Sequence, residues 1–216
     1  MRAIRAELIK IGTLPAVRLT IMLTWTATVV LALVYSAAVR RGEPLAPDQV
    51  LAPIRFVQAG FVVLGVLVST SEYQGGQIRT TLAALPRRLG LLAAKTLALA
   101  VTAVPVAAVA GIASAVVARE PWPESVEAVA ASTGYLTLTT LLAAAVATAI
   151  RHPVPAVATL LGYYFIAGPL LRDRTGCDAY LPDTAALGPA PGLAATSAWA
   201  LAALGATAIG FQRRDA

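Results

Sequence analysis

The sequence is short of nearly everything that gives a soluble protein its surface. Only 13% of its 216 residues are charged, against 58% hydrophobic, and mean hydropathy is +0.74. A chain this apolar has too little polar surface to cover a core in water, which excludes an ordinary soluble domain. Cysteine is almost missing: Cys177 stands alone, so no intrachain disulfide framework is available. Histidine occurs once, as His152, with no cysteine or carboxylate cluster at ligand spacing around it, so no metal site is expected and a loop position at the inner interface is. Lysine is nearly absent too, Lys10 and Lys95 being the two among 17 basic residues.

Catalytic patterns are lacking as well. The chain holds no Gly-x-x-x-x-Gly-Lys-Ser/Thr phosphate loop, no Gly-x-Ser-x-Gly elbow and no Ser/His/Asp set. Its carboxylates avoid the middles of the apolar runs, so an intramembrane enzyme has no acid or base to use. The chain is therefore expected not to be an enzyme and to bind no cofactor of its own.

What the sequence has is long charge-free runs. A helix needs about 20 residues to cross a hydrocarbon layer of about 30 Å. Six stretches approach that length: residues 19–39, 50–70, 89–118, 126–150, 153–171 and 192–211. They predict a single all-α transmembrane domain over residues 1–216, with six transmembrane helices. Pro44, Pro47 and Asp48 break the chain between the first two, and Arg151-His152-Pro153 predicts a tight reversal between the fourth and fifth. Gly168-Pro169 is expected to stop the fifth helix near Ala167. The mixed stretch from Arg172 to Pro191 then reads as an irregular or re-entrant outer segment. At the N-terminus Arg2, Arg5, Glu7 and Lys10 alternate with Ile4, Leu8 and Ile11, which predicts an amphipathic interfacial helix. No small-residue cleavage site follows a short apolar core, so the first span is expected to be retained.

The net charge of +6 is read as topology rather than as a nucleic-acid footprint, and no nucleic-acid partner is expected. With the N-terminus inside, 11 basic residues fall on the cytoplasmic side and 5 outside, while 3 acids fall inside and 8 outside. Lys and Arg are retained in the cytoplasm, so both termini are expected there, in a bacterial cytoplasmic membrane.

The most informative connection is Ser71-Glu72-Tyr73-Gln-Gly75-Gly76-Gln-Ile78-Arg79-Thr-Thr-Leu82-Ala-Ala-Leu85-Pro86-Arg87-Arg88. Gly75-Gly76 allows a sharp change of direction, and Ile78, Leu82 and Leu85 recur at i, i+4 and i+7, so a short amphipathic helix is expected to end at Pro86. Two roles fit such a helix: docking into a partner's groove, or lying on the headgroups with its arginines held by anionic lipid.

This stretch, followed by Lys95, resembles the region joining spans two and three in permeases of type-2 ABC exporters, and the six spans, N-terminal helix and outer segment extend the resemblance over nearly the whole chain. In that family the stretch is the coupling helix. The resemblance implies a permease that pairs with a second copy or homologue and rests on two separate ATPase subunits, which bind ATP and Mg. It makes Glu72, Tyr73, Gly75, Gly76, Ile78, Arg79, Leu82, Leu85, Pro86, Arg87 and Arg88 the expected ATPase contact. Outward transport is implied by the family alone. An ion-coupled secondary transporter and a non-transporting scaffold are the alternatives; the first would need mid-membrane acids.

Several residues inside the spans are candidates for a pathway or gate. Arg55 and Lys95 are ionisable residues near span ends, for which snorkelling is the simpler role, although Lys95 could also pair with Glu72. Thr20, Thr24 and Thr28, and likewise Thr133, Thr137 and Thr140, place hydroxyls along helix faces. They either line a path or bond back to their own helices, and packing is the favoured reading. Tyr163, Tyr164, Trp122 and Trp199 read as interface or packing aromatics, and Tyr180 sits in the outer segment that a gate would use.

Overall fold

The protein is described from a computed structural model, over residues 2–41, 53–71, 73, 88–119, 124–175, 180–183 and 193–214. Within these residues it is helical, with no strand. The helices are α1 (Arg2–Thr13), α2 (Pro15–Arg40), α3 (Ile54–Thr70), α4 (Arg88–Ala118), α5 (Glu124–Ile150), α6 (Pro153–Gly162), α7 (Gly168–Thr175) and α8 (Leu193–Arg214), with a π-helical turn at Tyr163–Ala167 joining α6 to α7. Five segments are long and apolar enough to cross a membrane: Pro15–Arg40, Leu89–Val117, Ser125–Ile150, Pro153–Arg172 and Leu193–Gly210. This is the pattern of a multi-pass membrane protein. Helix α3, at 17 residues, is shorter and lies at the lower limit of about 17 to 25 residues for a spanning helix.

The fifth expected span corrects the sequence reading. Gly168-Pro169 does not end the helix; helical backbone runs from Pro153 to Thr175. Proline has no N–H and its ring collides with the carbonyl four residues earlier, so a strict α-helix would break there. The turn before it widens instead, the Gly168 N–H reaching the Tyr163 carbonyl five residues back. One looser turn thus absorbs the proline while the chain continues in the same direction.

Helix α5 is the hub, packing against α3, α4, α6 and α8, while α2 closes on α3 and α4. Small residues make this possible. A Cβ added at Gly60 would fall on the Thr24 hydroxyl of α2, and one at Gly65 would fall on the Thr140 carbonyl of α5. At Gly65 the helices approach closely enough to bring backbone against a glycine, and at Gly60 the missing side chain makes room for Thr24; close approach at small residues is how helices associate where lipid removes the hydrophobic drive between them. Around these contacts Ile54, Val57 and Phe61 of α3 pack with Val106 and Ala107 of α4 and with Leu136 of α5. Val62 and Val66 meet Ala143, Ala147, Ala156 and Leu160.

The N-terminal helix is part of this bundle. Ile11 joins Val17, Leu64 and Ala98 in one buried cluster, and α1 packs along α4. Pro15 starts α2 at its first turn, where a missing N–H costs nothing.

Gly65→Val is expected to destabilise the fold by about 1 to 3 kcal/mol through overpacking against α5. Gly205→Ala, where an added Cβ meets nothing, should be neutral or slightly stabilising. Midpoints of denaturation in mixed detergent micelles distinguish the two.

Candidate functional site

Polar groups inside an apolar bundle are costly unless bonded, so they mark the positions worth following. Most hydroxyls on the spanning helices are satisfied within their own helix. Thr20 donates to the Ala16 carbonyl, Thr24 to Thr20 and Thr28 to Thr24, and Thr140 donates to Leu136. Thr24 and Thr28 are buried in the helix packing. The Thr133 and Thr137 hydroxyls, also enclosed, have no hydrogen-bond partner among the described residues.

The longest-range polar contacts tie different helices together. The Trp25 indole N–H donates to the Val106 carbonyl at 3.1 Å, joining α2 to α4. The Thr207 hydroxyl shares its proton between the Ala203 carbonyl one turn back, at 2.8 Å, and the Ala145 carbonyl, at 3.1 Å, which brings α8 against α5. At the centre of the α3–α5 contact the Tyr135 hydroxyl donates to the Gln58 side-chain carbonyl, both residues being buried.

At one end of the bundle lies an internal cavity of about 40 Å³. Its wall carries Glu7 of α1, Lys95 of α4, Tyr73, Ser69, Thr96 and Thr148. The Glu7 side chain is 9% exposed, so α1 delivers a carboxylate into the bundle rather than to the surface. A cavity of this size holds a water or two and no larger substrate.

Beside it, the turn between α5 and α6 is built around Arg151, whose φ of 64° lies in the left-handed region. Its N–H caps α5 by bonding the Ala147 carbonyl at 2.8 Å. Its guanidinium lies over the Tyr73 ring, 5.7 Å from the centroid. Tyr73 follows the end of α3, so this stacking links the chain leaving α3 to the α5–α6 turn.

At the other end, residues 180–183 are clasped to the bundle from two sides. The Arg172 guanidinium pairs with the Asp183 carboxylate at 2.5 Å, and Asp183 is 1% exposed. The Trp199 indole N–H donates to the Tyr180 carbonyl at 2.8 Å. Trp199 lies six residues into α8, about 9 Å along its axis, so the segment rests against the flank of the bundle. Gly168 makes room for it, since a Cβ there would stand 3.0 Å from the Asp183 carboxylate.

Of the residues expected at an ATPase contact, Glu72, Gly75, Gly76, Ile78, Arg79, Leu82, Leu85, Pro86 and Arg87 lie outside the described residues. Tyr73 is described, and Arg88 begins α4. Among the pathway candidates, Arg55 and Tyr180 are exposed, whereas Thr24, Thr28 and Thr137 are buried; the structure does not bring these five together. Lys95 shares its cavity with Glu7.

Sequence reasoning missed Glu7, Gln58 and the Arg172–Asp183 pair. Glu7 was findable, because it falls three residues after Ile4 and four before Ile11 on the apolar stripe of α1. Gln58 stood out as an amide amid apolar residues. Nothing in the sequence pairs Arg172 with Asp183. Comparison with protein-family models found no family that matches the chain, and comparison with curated proteins found no match.

Tyr135→Phe, which leaves the buried Gln58 amide without its donor, is expected to cost about 0.6 to 1.7 kcal/mol. Adding Gln58→Leu should recover part of that loss, because the orphaned group is then removed. A double-mutant cycle on unfolding in micelles reads the coupling.

Proposed function

We propose that this chain is the transmembrane subunit of an ATP-driven exporter of the type-2 ABC class, working as a dimer on two separate ATPase subunits. In this reading α3 is the sixth span, α1 lies at the cytoplasmic interface, and both termini face the cytoplasm of a bacterial cell. The observation that carries the proposal is the stretch from Glu72 to Arg88, with its Gly-Gly turn, apolar stripe and closing Pro-Arg-Arg. Its anchoring supports the same role. On one side the stretch leaves α3 through Tyr73, which stacks on Arg151; on the other it runs directly into α4 at Arg88.

A push on this stretch is thereby delivered to three helices: α3 and α4 through the chain itself, and α5 through the Tyr73–Arg151 stacking. Helix α5 carries it onward, since it contacts α3, α4, α6 and α8. Six spans are a small body in which to enclose a path, so in this scheme the path runs between two copies. ATP and Mg belong to the partner subunits in this scheme.

An ion-coupled transporter is the second reading, and one observation favours it: Glu7 is buried in a cavity wall shared with Lys95. A buried carboxylate beside a cation is a group that could carry coupling protons.

The test is co-purification with an ATPase subunit encoded beside this chain. Cysteines at Ile78, Arg79 and Leu82 are expected to crosslink to it, and a cysteine at Arg55 is not. ATPase activity stimulated only in the assembled complex supports the exporter, whereas uptake driven by a proton gradient and abolished by Glu7→Gln supports the rival. Tyr73→Ala should lower stimulated ATPase activity several-fold while the complex still assembles, since the lost stacking is worth about 0.5 to 1 kcal/mol at a partly exposed site.

A further inference from the structure

The apolar stripe of α1 faces the bundle, and one residue on that face is a carboxylate. Ile11 is buried with Val17, Leu64 and Ala98, and Ile4 and Leu8 pack against that cluster. Glu7 lies among them, 9% exposed, and enters the wall of the cavity of about 40 Å³ together with Lys95 of α4. Neither Glu7 nor Lys95 is without an interaction partner. An apolar residue at position 7 would continue the stripe, whereas a buried carboxylate is costly unless it is paired and hydrogen-bonded.

The cavity supplies the means for both. Beside Glu7 and Lys95 its wall carries the hydroxyls of Ser69, Thr96, Thr148 and Thr207. Thr96, Thr148 and Thr207 donate their protons to carbonyls of their own helices, which leaves their oxygen lone pairs free to accept. Cavities that stay empty are lined by apolar groups, whereas one with room for a water and several polar groups around it is filled. The neighbours of Lys95 one turn away on α4, Leu91 and Leu99, are apolar and line the same space. Sliding α1 along α4 by a turn in either direction thus sets the carboxylate against a leucine.

We infer that the cavity is a binding site for a water or two, and that this water and Lys95 together hold the Glu7 carboxylate and lock α1 to α4 in one register. Water suits the space, since the formal charges of Glu7 and Lys95 cancel and leave none to recruit an ion, and the volume admits no larger molecule. A buried ion pair contributes little stability beyond what apolar residues of the same volume would give. What it contributes is position, as a buried polar group does when it fixes the register of packed helices. The apolar stripe supplies the attraction, and the wet pair selects where it acts. The inference concerns how α1 is held and rests on neither transport reading above.

The test uses the full chain in detergent micelles and takes two measurements. Brief X-ray radiolysis turns bound water into hydroxyl radicals, which oxidise the side chains beside it. Leu91 and Leu99, each 2% exposed and on the cavity wall, are expected to be oxidised about fivefold more than Leu136, which is as buried but lies away from the cavity. Equal oxidation of the three means a dry cavity and overturns the inference. The second measurement starts from a Cys177→Ala background and follows alkylation of Ile11→Cys, a position 4% exposed, against Ile9→Cys, a position 68% exposed, as the rate reference. Lys95→Met removes the cation and should speed alkylation at position 11 by about tenfold, because the carboxylate left behind draws α1 away from the bundle. Adding Glu7→Leu should return the rate to that of the parent, since a pair exchanged for apolar residues of similar volume keeps the packing. No acceleration in Lys95→Met, or an acceleration that Glu7→Leu does not reverse, overturns the inference as well. Neither measurement involves an ATPase partner or the side of a membrane that α1 faces.

Discussion

A hydrocarbon layer offers no water to bond, so the backbone groups of a spanning helix must be satisfied within the protein, and side-chain polar groups there are costly unless bonded. Much of this structure follows from that. The threonines of α2 return their hydroxyls to the carbonyls one turn back. The Gln58 amide of α3 takes its donor from Tyr135 of α5. The proline in the fifth segment is accommodated by widening one turn, which keeps the helix continuous where a break would expose backbone groups. Association between the helices then depends on contact distance, and glycine at position 65 lets α3 meet the α5 backbone while glycine at position 60 makes room for the Thr24 side chain.

The charged groups divide between the two ends of the bundle. One end has Glu7 and Lys95 around a small cavity, with Arg151 and Tyr73 beside it. The other has the Arg172–Asp183 pair, which with the Trp199 bond clasps a short segment to the flank. Between them lie tightly packed small residues. Such a body transmits displacement from end to end as a unit, because close-packed helices cannot deform continuously. That property suits a subunit moved by a partner at one face, which is the role proposed for the stretch that leaves α3 at Tyr73.

Much of the architecture was legible in the sequence because two simple patterns carry it. Charge-free runs placed the long helices to within a few residues, as with α5, expected at 126–150 and found at Glu124–Ile150. The alternation of Arg2, Ile4, Leu8 and Ile11 marked α1. The extent of the fifth segment was misread because a proline's effect depends on whether the preceding turn can widen, and that turn is held by Tyr164 packed against α3 and α5.

The amino-acid sequence by itself determined that these helices leave water, roughly where each begins and ends, and which hydroxyls recur on one face. Burial of an apolar run is a local property, summed over about 20 neighbouring residues, and so it can be read along the chain. Only the tertiary structure decided that Glu7 faces a cavity with Lys95, that Arg151 covers Tyr73, and that Asp183 meets Arg172. Those pairings join residues far apart in the chain, and nothing local specifies them. They arise from how closely the helices can pack, which is set by glycines and alanines whose side chains take no part in the pairs themselves.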